Sequence, residues 1–298
     1  MKPATRSFYE EAVQRTIDAI VANLDEALDL DTLASAAGMS PYHFHRMFRG
    51  MVGETPLELA RRLRMERAAR QVLANDRPIT QIAFDAAYET HEAFTRAFRL
   101  WYRTSPSGFR LRAHARTEIP AACGVHFGHA VGQSFVARDS GGRDMTVEIK
   151  QMPEMRVATV RHVGPYNLIP QAFEKLGKIV DHLGVFTRPG VQMVALYHDD
   201  PDSTPPEQLR SDAGLVVPEG MALPDGLGEE RIPAGRYATT THVGPYEQLG
   251  DVWARFFGEW VPASGHRLGP GVSFEVYRNT PAEVPKKDLI TDLFISLA

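Results

Sequence analysis

Hydrophobic residues recur at helical spacing along the first third of the chain. A capping-box pattern at Ser7–Glu10 introduces a helical series of apolar residues at Phe8, Val13, Ile17, Ile20, Val21, Leu24 and Leu28. This series predicts a long amphipathic first helix. Asp31 is placed to cap a short second helix, Gly38 suits the turn after it, and Ser40-Pro41 has the form of a helix start. Residues 30–49 are therefore predicted to form a helix-turn-helix.

The same pattern occurs a second time further along the chain. Ile82-Ala83 repeats Leu33-Ala34, and the later aromatic and basic residues recur with one extra residue in the turn. The matched pairs are Phe44 and Phe94, Arg46 and Arg96, Phe48 and Phe98, and Arg49 and Arg99. The four phenylalanines are predicted to be core residues because they repeat at four-residue spacing. Between the copies, residues 56–75 are rich in strong helix formers and predict one continuous helix.

The second half of the chain alternates hydrophobic and polar residues, as strands with one buried face do. The segment HVGPY occurs at His162–Tyr166 and again at His242–Tyr246, at the centre of a longer similarity with a constant offset. Each copy predicts a strand, a Gly-Pro turn, an amphipathic helix and two more strands. We therefore predict two βαββ repeats, at residues 145–218 and 228–298. The Gly-Pro turn accounts for most of the pentapeptide, whereas each tyrosine is either a turn residue or part of a cleft.

The two repeats differ in the middle of their third strand. Glu275 stands where the first repeat has Ala195, and the alternation puts Phe274 and Val276 on one face and Glu275 and Tyr277 on the other. If Phe274 and Val276 pack on the helix, Glu275 and Tyr277 face the open side of the sheet. In that helix, the second repeat has Trp253, Phe256 and Trp260 where the first has Phe173, Leu176 and Val180. An inward carboxylate among aromatic rings favours a flat, apolar cation, although a glutamate that pairs with an arginine or faces solvent fits the sequence equally well.

Composition and charge narrow the class of protein. A chain of 298 residues with 43% hydrophobic and 23% charged residues is long enough for two globular domains, and no apolar run is long enough to span a bilayer. The absence of an apolar signal core and the single cysteine, Cys123, predict a cytoplasmic protein. Residues 46–116 carry 14 arginines against 7 acidic residues, which indicates either a surface for a polyanion or a solvated helical face.

The segment between the two halves loses its periodicity and gains small residues. We predict a linker at residues 113–144, between an N-terminal domain at residues 1–112 and a C-terminal domain at residues 145–298. Within the linker, Cys123, His126 and His129 have the spacing of metal ligands. Because no fourth ligand is evident, we expect this spacing to be a coincidence and predict neither a metal nor a cofactor.

Two helix-turn-helix units in one chain predict binding to double-stranded DNA. In such a unit, residues near the start of the second helix contact base edges while flanking groups contact phosphates. A single unit of this kind is as often an ordinary helix pair, so the prediction depends on the repetition. The candidate DNA-binding residues are Tyr42, His45, Arg46 and Arg49 in the first unit and His91, Glu92, Arg96 and Arg99 in the second.

Residues 7–112 resemble the DNA-binding domain of the AraC/XylS family of transcription regulators. The resemblance is carried by Leu33-Ala34, Ser40, Phe44, Arg46 and Phe48 in the first unit, and by Ile82-Ala83, Tyr88, Phe94, Arg96, Phe98, Thr104-Ser105-Pro106 and Phe109-Arg110 in the second. One departure is Ala87, where the family usually has glycine. We therefore expect modest backbone strain in the second turn, since an alanine at positive φ is unfavourable.

The C-terminal half resembles the gyrase-inhibitor-like effector-binding domains. The matching residues are the two H-x-G-P-Y segments, Phe274-Glu275-Val276-Tyr277, and the strands of Asp212 and Asp292. The resemblance implies a pseudo-twofold pair of βαββ repeats around a ligand cleft, in which a glutamate at the position of Glu275 meets a positive charge. Joined to the AraC-type domain, the arrangement resembles the Rob-type regulators. The candidate ligand-binding residues are Tyr166, Tyr197, Tyr246, Trp253, Trp260, Glu275 and Tyr277.

The fold class is thus expected to be multidomain, with an all-α N-terminal domain and an α+β C-terminal domain. The leading hypothesis is a ligand-responsive transcriptional regulator that binds an operator and a small molecule, and that contacts RNA polymerase. An enzymatic alternative is a small-molecule hydrolase in which Glu275 and one of Tyr166, Tyr246 and Tyr277 serve as base and orienting acid. A third hypothesis is a pure binding module. We favour the regulator and predict no catalytic residues.

Overall fold

The structure of the protein is a computed structural model that describes residues 4–26, 29–36, 39–112, 114–138, 145–181, 191–199 and 204–298. The predicted turn residue Gly38 and the end of the predicted linker, residues 139–144, lie outside the described residues. The chain divides into two compact units. The helical unit comprises Phe8–Leu33 and Phe48–Asp139, and the sheet unit comprises Met1–Ser7, Ala34–Met47 and Ser140–Ala298.

Seven helices precede the first strand among the described residues. They are α1 at Ala4–Ala22, α2 at Leu30–Ala36, α3 at Pro41–Val52, α4 at Pro56–Ala74, α5 at Ile79–Asp85, α6 at His91–Tyr102 and α7 at Pro106–Arg110. The predicted helix-turn-helix pairs are α2 with α3 and α5 with α6. At the start of α3, the Ser40 hydroxyl accepts a hydrogen bond from the backbone N–H of His43 at 3.3 Å, as the N-cap prediction requires. None of the described helices is long and apolar enough to cross a membrane.

Helix α4 is the continuous helix predicted between the two units. Thr55 and Glu58 form a capping box at its start, with Pro56 at the first helical position, and Asn75 ends the helix in the left-handed conformation. Its buried face meets α5, α6 and α7 in one hydrophobic cluster that contains Phe94 and Phe98, both fully buried. The prediction that the repeated phenylalanines are core residues is confirmed, since Phe44 and Phe48 are also fully buried.

Ala87 has the backbone strain that the sequence predicts. Its φ is 64°, and Asn75 and Arg103 are the other non-glycine residues with positive φ in the described ranges. The backbone N–H of Tyr88 donates to the Ala83 carbonyl at 3.1 Å, which closes the turn after α5. The turn is therefore built without the usual glycine.

The described part of the predicted linker is anchored on α4. Glu66 is fully buried, and its carboxylate accepts hydrogen bonds from the backbone N–H groups of Ile119 at 2.9 Å and Phe127 at 2.7 Å. Arg62 donates to the same carboxylate at 3.0 Å, and Ile119 joins the hydrophobic cluster of the helical unit. This segment is thus part of the helical unit, because a buried carboxylate holds its backbone.

Cys123, His126 and His129 do not converge on one point. The Cys123 thiol lies 3.6 Å from a carboxylate oxygen of Glu54, and the Nδ1 atom of His126 lies 3.0 Å from Glu66. The Nε2 atom of His129 instead lies 2.7 Å from the carbonyl oxygen of Gln133. Among the described residues, no group of three His, Cys, Asp or Glu side chains has a metal-binding arrangement.

The sheet unit contains an eight-stranded antiparallel sheet in the order β1-β6-β8-β7-β3-β4-β2-β5. The first repeat supplies β1 at Glu148–Met152, β2 at Met155–Val163, α8 at Pro170–Val180, β3 at Met193–Tyr197 and β4 at Arg210–Val217. The second supplies β5 at Gly228–Ile232, β6 at Gly235–Val243, α9 at Leu249–Arg255, a π-helical turn at Phe256–Trp260, α10 at Val261–Ser264, β7 at Ser273–Tyr277 and β8 at Ile290–Leu297. The two βαββ repeats are confirmed.

Each repeat also begins with a strand that the sequence did not reveal. These strands, β1 and β5, are mostly exposed and polar, so they lack the alternation by which a half-buried strand is recognised. Each pairs with the other repeat, β1 with β6 and β5 with β2. The repeats are therefore joined by an exchange of edge strands as well as by the central β3–β7 pair.

The two faces of the sheet carry separate hydrophobic clusters. One contains Leu176 and Val180 of α8 together with Ala195 and Tyr197 of β3. The other contains Phe274 and Val276 of β7 and, as far as the chain is described, no helical residue; the rings of Phe274 and Phe294 stack there at 4.6 Å. The condition that Phe274 and Val276 pack on the helix is therefore not met. Glu275 and Tyr277 occupy the helical face instead, because strand residues alternate between faces.

The two HVGPY segments form equivalent turns from strand to helix. Gly164 and Gly244 have φ values of 137° and 145°, which favour glycine. Each histidine donates from Nε2 to the carbonyl oxygen of the proline in its own segment, at 3.1 Å in the first repeat and 3.3 Å in the second. The tyrosines then begin short 3-10 turns at Tyr166–Leu168 and Tyr246–Gln248. The structural interpretation therefore accounts for His, Gly and Pro.

Candidate functional site

Glu275 lies at the centre of the sheet. It pairs directly with Ala195, which holds the same position in the first repeat, so the pseudo-twofold axis passes between these two residues. Only 2% of the Glu275 surface is exposed, and Ala195 is fully buried. A carboxylate thus lies where β3 and β7 pair at equivalent positions of the two repeats.

Three neutral groups donate hydrogen bonds to the Glu275 carboxylate. Tyr197 and Tyr277 donate to Oε2 at 2.9 Å and 2.7 Å, and the indole N–H of Trp253 donates to Oε1 at 2.7 Å. Among the described residues, no Lys or Arg lies within ion-pair distance of this carboxylate. Both alternatives left open by the sequence, an arginine partner and exposure to solvent, are therefore wrong.

The two tyrosines are held as hydrogen-bond donors. Burial raises the pKa of Tyr197 and Tyr277 well above the usual value for a phenol, and the neighbouring Glu275 carboxylate raises both further. Both phenols consequently stay protonated at neutral pH. Their O–H groups also lie 3.4 Å apart, so they form one network around the carboxylate.

Aromatic rings surround this network on both repeats. Tyr166 packs edge-on against Tyr197 at 4.9 Å, and Tyr246 packs edge-on against Tyr277 at 5.3 Å. Phe173 of α8 contacts the Tyr277 ring at 5.5 Å. The tyrosines are among the candidate ligand-binding residues, but Phe173 is not. The sequence contained a signal for Phe173, because it holds the helical position in the first repeat that Trp253 holds in the second.

Trp253 and Trp260 have different surroundings. Trp253 is buried and stacks on Phe257 at 5.7 Å while it donates to Glu275. Trp260 contacts Phe256 at 5.5 Å and stacks on His266 at 6.4 Å. Trp260 makes none of the described ring contacts or hydrogen bonds around Glu275. The π-helical turn at Phe256–Trp260 changes which residues face the sheet, a change that helical spacing alone does not predict.

The first turns of α3 belong to the sheet unit and reach this aromatic group. The Tyr42 ring lies edge-on to Phe257 at 6.3 Å and joins the hydrophobic cluster that contains Tyr166 and Tyr277. The Arg46 guanidinium lies 5.3 Å from the centre of the Trp253 ring. Because both α3 residues were assigned to DNA contacts from the sequence, their place beside the ligand residues was not expected.

His43 completes the contacts of α3 with the sheet. Its Nε2 atom lies 3.4 Å from the hydroxyl of Ser273, and its ring lies 5.7 Å from that of Phe257. Burial, with a smaller contribution from the Arg46 charge, lowers the pKa of His43 to about 4. His43 is therefore neutral at physiological pH. Nothing in the sequence singled it out, because its role depends on a long-range contact.

The remaining candidate DNA-binding residues differ in exposure. On α6, Glu92, Arg96 and Arg99 are exposed and His91 is half-buried. On α3, Arg49 is exposed, Tyr42 and Arg46 are half-buried, and His45 is buried. Contact with DNA stays a prediction for all eight residues.

Asp212 and Asp292 hold equivalent structural positions. Asp212 accepts hydrogen bonds from Arg161 and His198, both at 2.6 Å, and Asp292 accepts one from Thr241 at 2.6 Å. Burial raises the pKa of Asp212, but the hydrogen bonds from His198 and Arg161 outweigh it and hold the pKa below its usual range. These two aspartates thus stabilise the sheet through their own partners, which do not belong to the Glu275 network.

Comparison with known proteins identifies both halves of the chain. The model of a GyrI-like small molecule binding domain matches residues 145–298, and that of a helix-turn-helix domain matches residues 33–112. The DNA gyrase inhibitor of Yersinia enterocolitica is 31% identical over 140 residues, which cover 45% of this chain and 87% of that protein. The HTH-type transcriptional regulator YbfP of Bacillus subtilis is 36% identical over 103 residues, which cover 35% of each chain.

Among solved structures, the complex of EcmrR with DNA is similar to part of this chain. Its TM-score is 0.41 at 19% identity, with 51% of this chain and 57% of that chain covered. The GyrI-like match alone spans more than half of the 298 residues. The chain therefore belongs to the family with a GyrI-like small molecule binding domain and, with its AraC-type helix-turn-helix domain, is a DNA-binding, ligand-responsive transcriptional regulator.

Proposed function

We propose that the effector of this regulator is a small aromatic cation that binds beside Glu275. The observation that carries the proposal is a buried carboxylate that receives hydrogen bonds from three neutral donors and has no Lys or Arg partner in the described part of the chain. Burial of a charge without a counter-charge costs several kcal/mol, part of which a cationic ligand returns.

The aromatic rings add the second element of selectivity. Trp253 joins the network through its hydrogen bond to Glu275, and Tyr166 and Tyr246 pack edge-on against Tyr197 and Tyr277, so a ligand that reaches Glu275 meets aromatic rings. A cation over such a ring gains roughly 0.5–2 kcal/mol per contact, and an anion gains nothing. The ligand-binding residues in this proposal are Tyr166, Tyr197, Tyr246, Trp253, Glu275 and Tyr277.

We further propose a role for each segment of the chain. Residues 1–112 bind operator DNA, and residues 145–298 bind the effector. Residues 113–144, whose described part packs on α4, connect the two domains. The exposed residues Arg96 and Arg99 on α6 support DNA binding by the second unit. The regulator acts in the cytoplasm, where the bound complex contacts RNA polymerase.

Effector binding is tested with the full-length protein and rhodamine 6G, a fluorescent aromatic cation. We expect Glu275→Gln to weaken its binding roughly 10- to 100-fold, since an interaction with a charged group is worth about 1.5–3 kcal/mol. The matched control is Glu247→Gln, which removes an exposed carboxylate of the same unit and should leave the affinity unchanged. Fluorescein, an anion with the same ring system, should not bind. Equal rhodamine affinity in both variants would contradict the proposal.

The same experiment separates a sensor from a hydrolase. A hydrolase would use one oxygen of Glu275 as a base, but both oxygens already accept hydrogen bonds from protein groups. We propose that the domain is not an enzyme, and expect the probe to be recovered chemically unchanged after prolonged incubation. A product that forms with the wild type and disappears in Glu275→Gln would support the enzymatic alternative.

A further inference from the structure

The group above Trp253 in this structure is a side chain of α3. The centre of the Arg46 guanidinium lies 4.8 Å from the Tyr42 ring, 5.3 Å from the Trp253 ring and 5.9 Å from the Phe257 ring. Three aromatic rings therefore surround one planar, delocalised cation. All of these contacts are within the sheet unit.

This position is adjacent to the Glu275 carboxylate. The Trp253 ring that lies beneath Arg46 is the one whose N–H donates to Glu275 at 2.7 Å. Arg46 lies over the ring of Trp253, so it meets the aromatic part of the site. A planar cation over an aromatic ring beside a buried carboxylate is the chemistry expected of the effector.

Two further residues of α3 close the site around Arg46. Tyr42 packs into the cluster that contains Tyr166 and Tyr277, which are two of the proposed ligand residues. His43 is 4% exposed and contacts Ser273, which lies two residues before Glu275 on the same face of β7. One turn of helix therefore covers the ring cluster and the strand that carries the carboxylate.

We propose that the first turns of α3 are an internal occupant of the effector site, in which Arg46 stands where the aromatic part of a cationic effector binds. Effector and α3 then compete for the Trp253 face. The inference rests on the proposed function, since it assumes that the site takes a cation.

Competition couples the effector to DNA. Tyr42 and Arg46 are also among the α3 residues that the sequence assigns to the operator, and they cannot contact DNA while they fill the site. An effector that displaces them releases them for the operator, so the effector strengthens DNA binding. By linkage, operator DNA strengthens effector binding by the same factor.

The test measures rhodamine 6G affinity in full-length Arg46→Ala. Removal of the internal competitor raises the apparent affinity, and we expect a gain of at least roughly threefold, because the open fraction of the site increases. Arg231→Ala is the control, since Arg231 is an exposed arginine of β5 whose ion-pair partners lie outside the ring cluster. The control should bind the probe as the wild type does. An unchanged or weaker affinity in Arg46→Ala would overturn the inference.

A second measurement needs no variant. Hydrogen–deuterium exchange of the backbone amides of residues 42–47 should accelerate when rhodamine 6G saturates the wild type, and unchanged protection of this turn would contradict the displacement of α3. The two proposals fail separately. If Glu275→Gln binds rhodamine 6G as tightly as the wild type, the proposed cation site is refuted. If Glu275→Gln weakens binding but Arg46→Ala does not strengthen it, only the proposed competition is refuted.

Discussion

Glu275 and Ala195 face each other across the β3–β7 pair, although they hold the same position in the two repeats. The backbone of the sheet is symmetric around this pair, but the chemistry is not, because one side chain is a carboxylate and the other a methyl group. A single carboxylate at this pair is more favourable than two would be. Two carboxylates on directly opposed strand positions would lie close enough to repel each other strongly.

The asymmetry predicts that the first repeat cannot accept a second acid. We expect Ala195→Glu to lower the free energy of unfolding below that of Ala195→Gln by on the order of 2 kcal/mol at pH 8, because the glutamine has the same size without the charge. Urea unfolding of both variants measures the difference. The buried pair should take up a proton more readily than the unfolded chain, so the difference should shrink as the pH falls to 5. Equal stability at pH 8 would contradict the repulsion.

The sequence predicted the parts of the fold that depend on local pattern. The helical spacing of the N-terminal half, the offset between the repeats and the Gly-Pro turns all correspond to local backbone geometry. The strands β1 and β5 were missed because they are polar edge strands whose partners lie about 80 residues away in the chain. Their existence is a long-range property that no local pattern records.

The same limit applies to the candidate site. Glu275 was recognised because the two repeats differ there, and its tyrosines because they recur. The sequence did not decide which face of the sheet the helices cover, since alternation fixes which residues share a face but not what covers that face. The contacts of Tyr42, His43 and Arg46 with Phe257 and Trp253 join segments about 200 residues apart. The sequence therefore assigned Tyr42 and Arg46 to DNA alone and did not single out His43.

The turns after β2 and β6 predict unequal costs for the same substitution. A methyl group on Gly244 would lie 3.1 Å from both the Gln248 side-chain oxygen and Nε2 of His242, whereas on Gly164 its nearest neighbours are 3.5 Å away. Both glycines have positive φ, so each substitution is strained. We expect thermal unfolding to show a loss of about 2 kcal/mol for Gly244→Ala and about 1 kcal/mol for Gly164→Ala.

The control for these turns is Gly250→Ala. Gly250 lies in α9, and a methyl group there would meet no atom within 4 Å. This substitution should raise the stability by up to about 1 kcal/mol, because alanine favours helix. A loss equal to that of Gly244→Ala would show that the cost does not come from the turn geometry.

The strained turn after α5 predicts a stabilising substitution. Ala87 has φ of 64°, a conformation that costs roughly 1 kcal/mol for a residue with a Cβ atom. We expect Ala87→Gly to raise the free energy of unfolding by up to about 1 kcal/mol, with the greater flexibility of the unfolded chain offsetting part of the gain. The neighbouring Ala86, with φ of −89°, is the control, and Ala86→Gly should destabilise. A loss of stability in Ala87→Gly would contradict the strain.

The buried His43 predicts a pH dependence of stability. Its pKa of about 4 in the folded protein lies below the usual value of 6.5, so the unfolded chain binds the proton first as the pH falls. The folded state should therefore lose stability between pH 6.5 and 4, by about 2 kcal/mol at pH 5. His43→Gln cannot take up this proton. The free energy of unfolding, measured with urea, should therefore fall more steeply with decreasing pH in the wild type than in His43→Gln. Parallel curves for the two proteins would contradict the burial of a neutral histidine.

DNA binding should depend both on Arg96 of the helix-turn-helix domain and on the effector bound to the C-terminal domain. With DNA selected from a random pool by the wild-type protein, we expect Arg96→Ala to weaken binding by roughly 10-fold or more on gel shift, since a good arginine–base contact is worth about 1–3 kcal/mol. The control is Arg231→Ala, which removes an exposed arginine of β5 and should leave DNA binding unchanged.

Rhodamine 6G should strengthen DNA binding by the wild type and by Arg96→Ala, because both retain Arg46 in the effector site. It should have little effect on Arg46→Ala, in which the internal competitor is already absent. A response of Arg46→Ala as large as that of the wild type would mean that the effector acts on DNA binding by a route other than the release of α3.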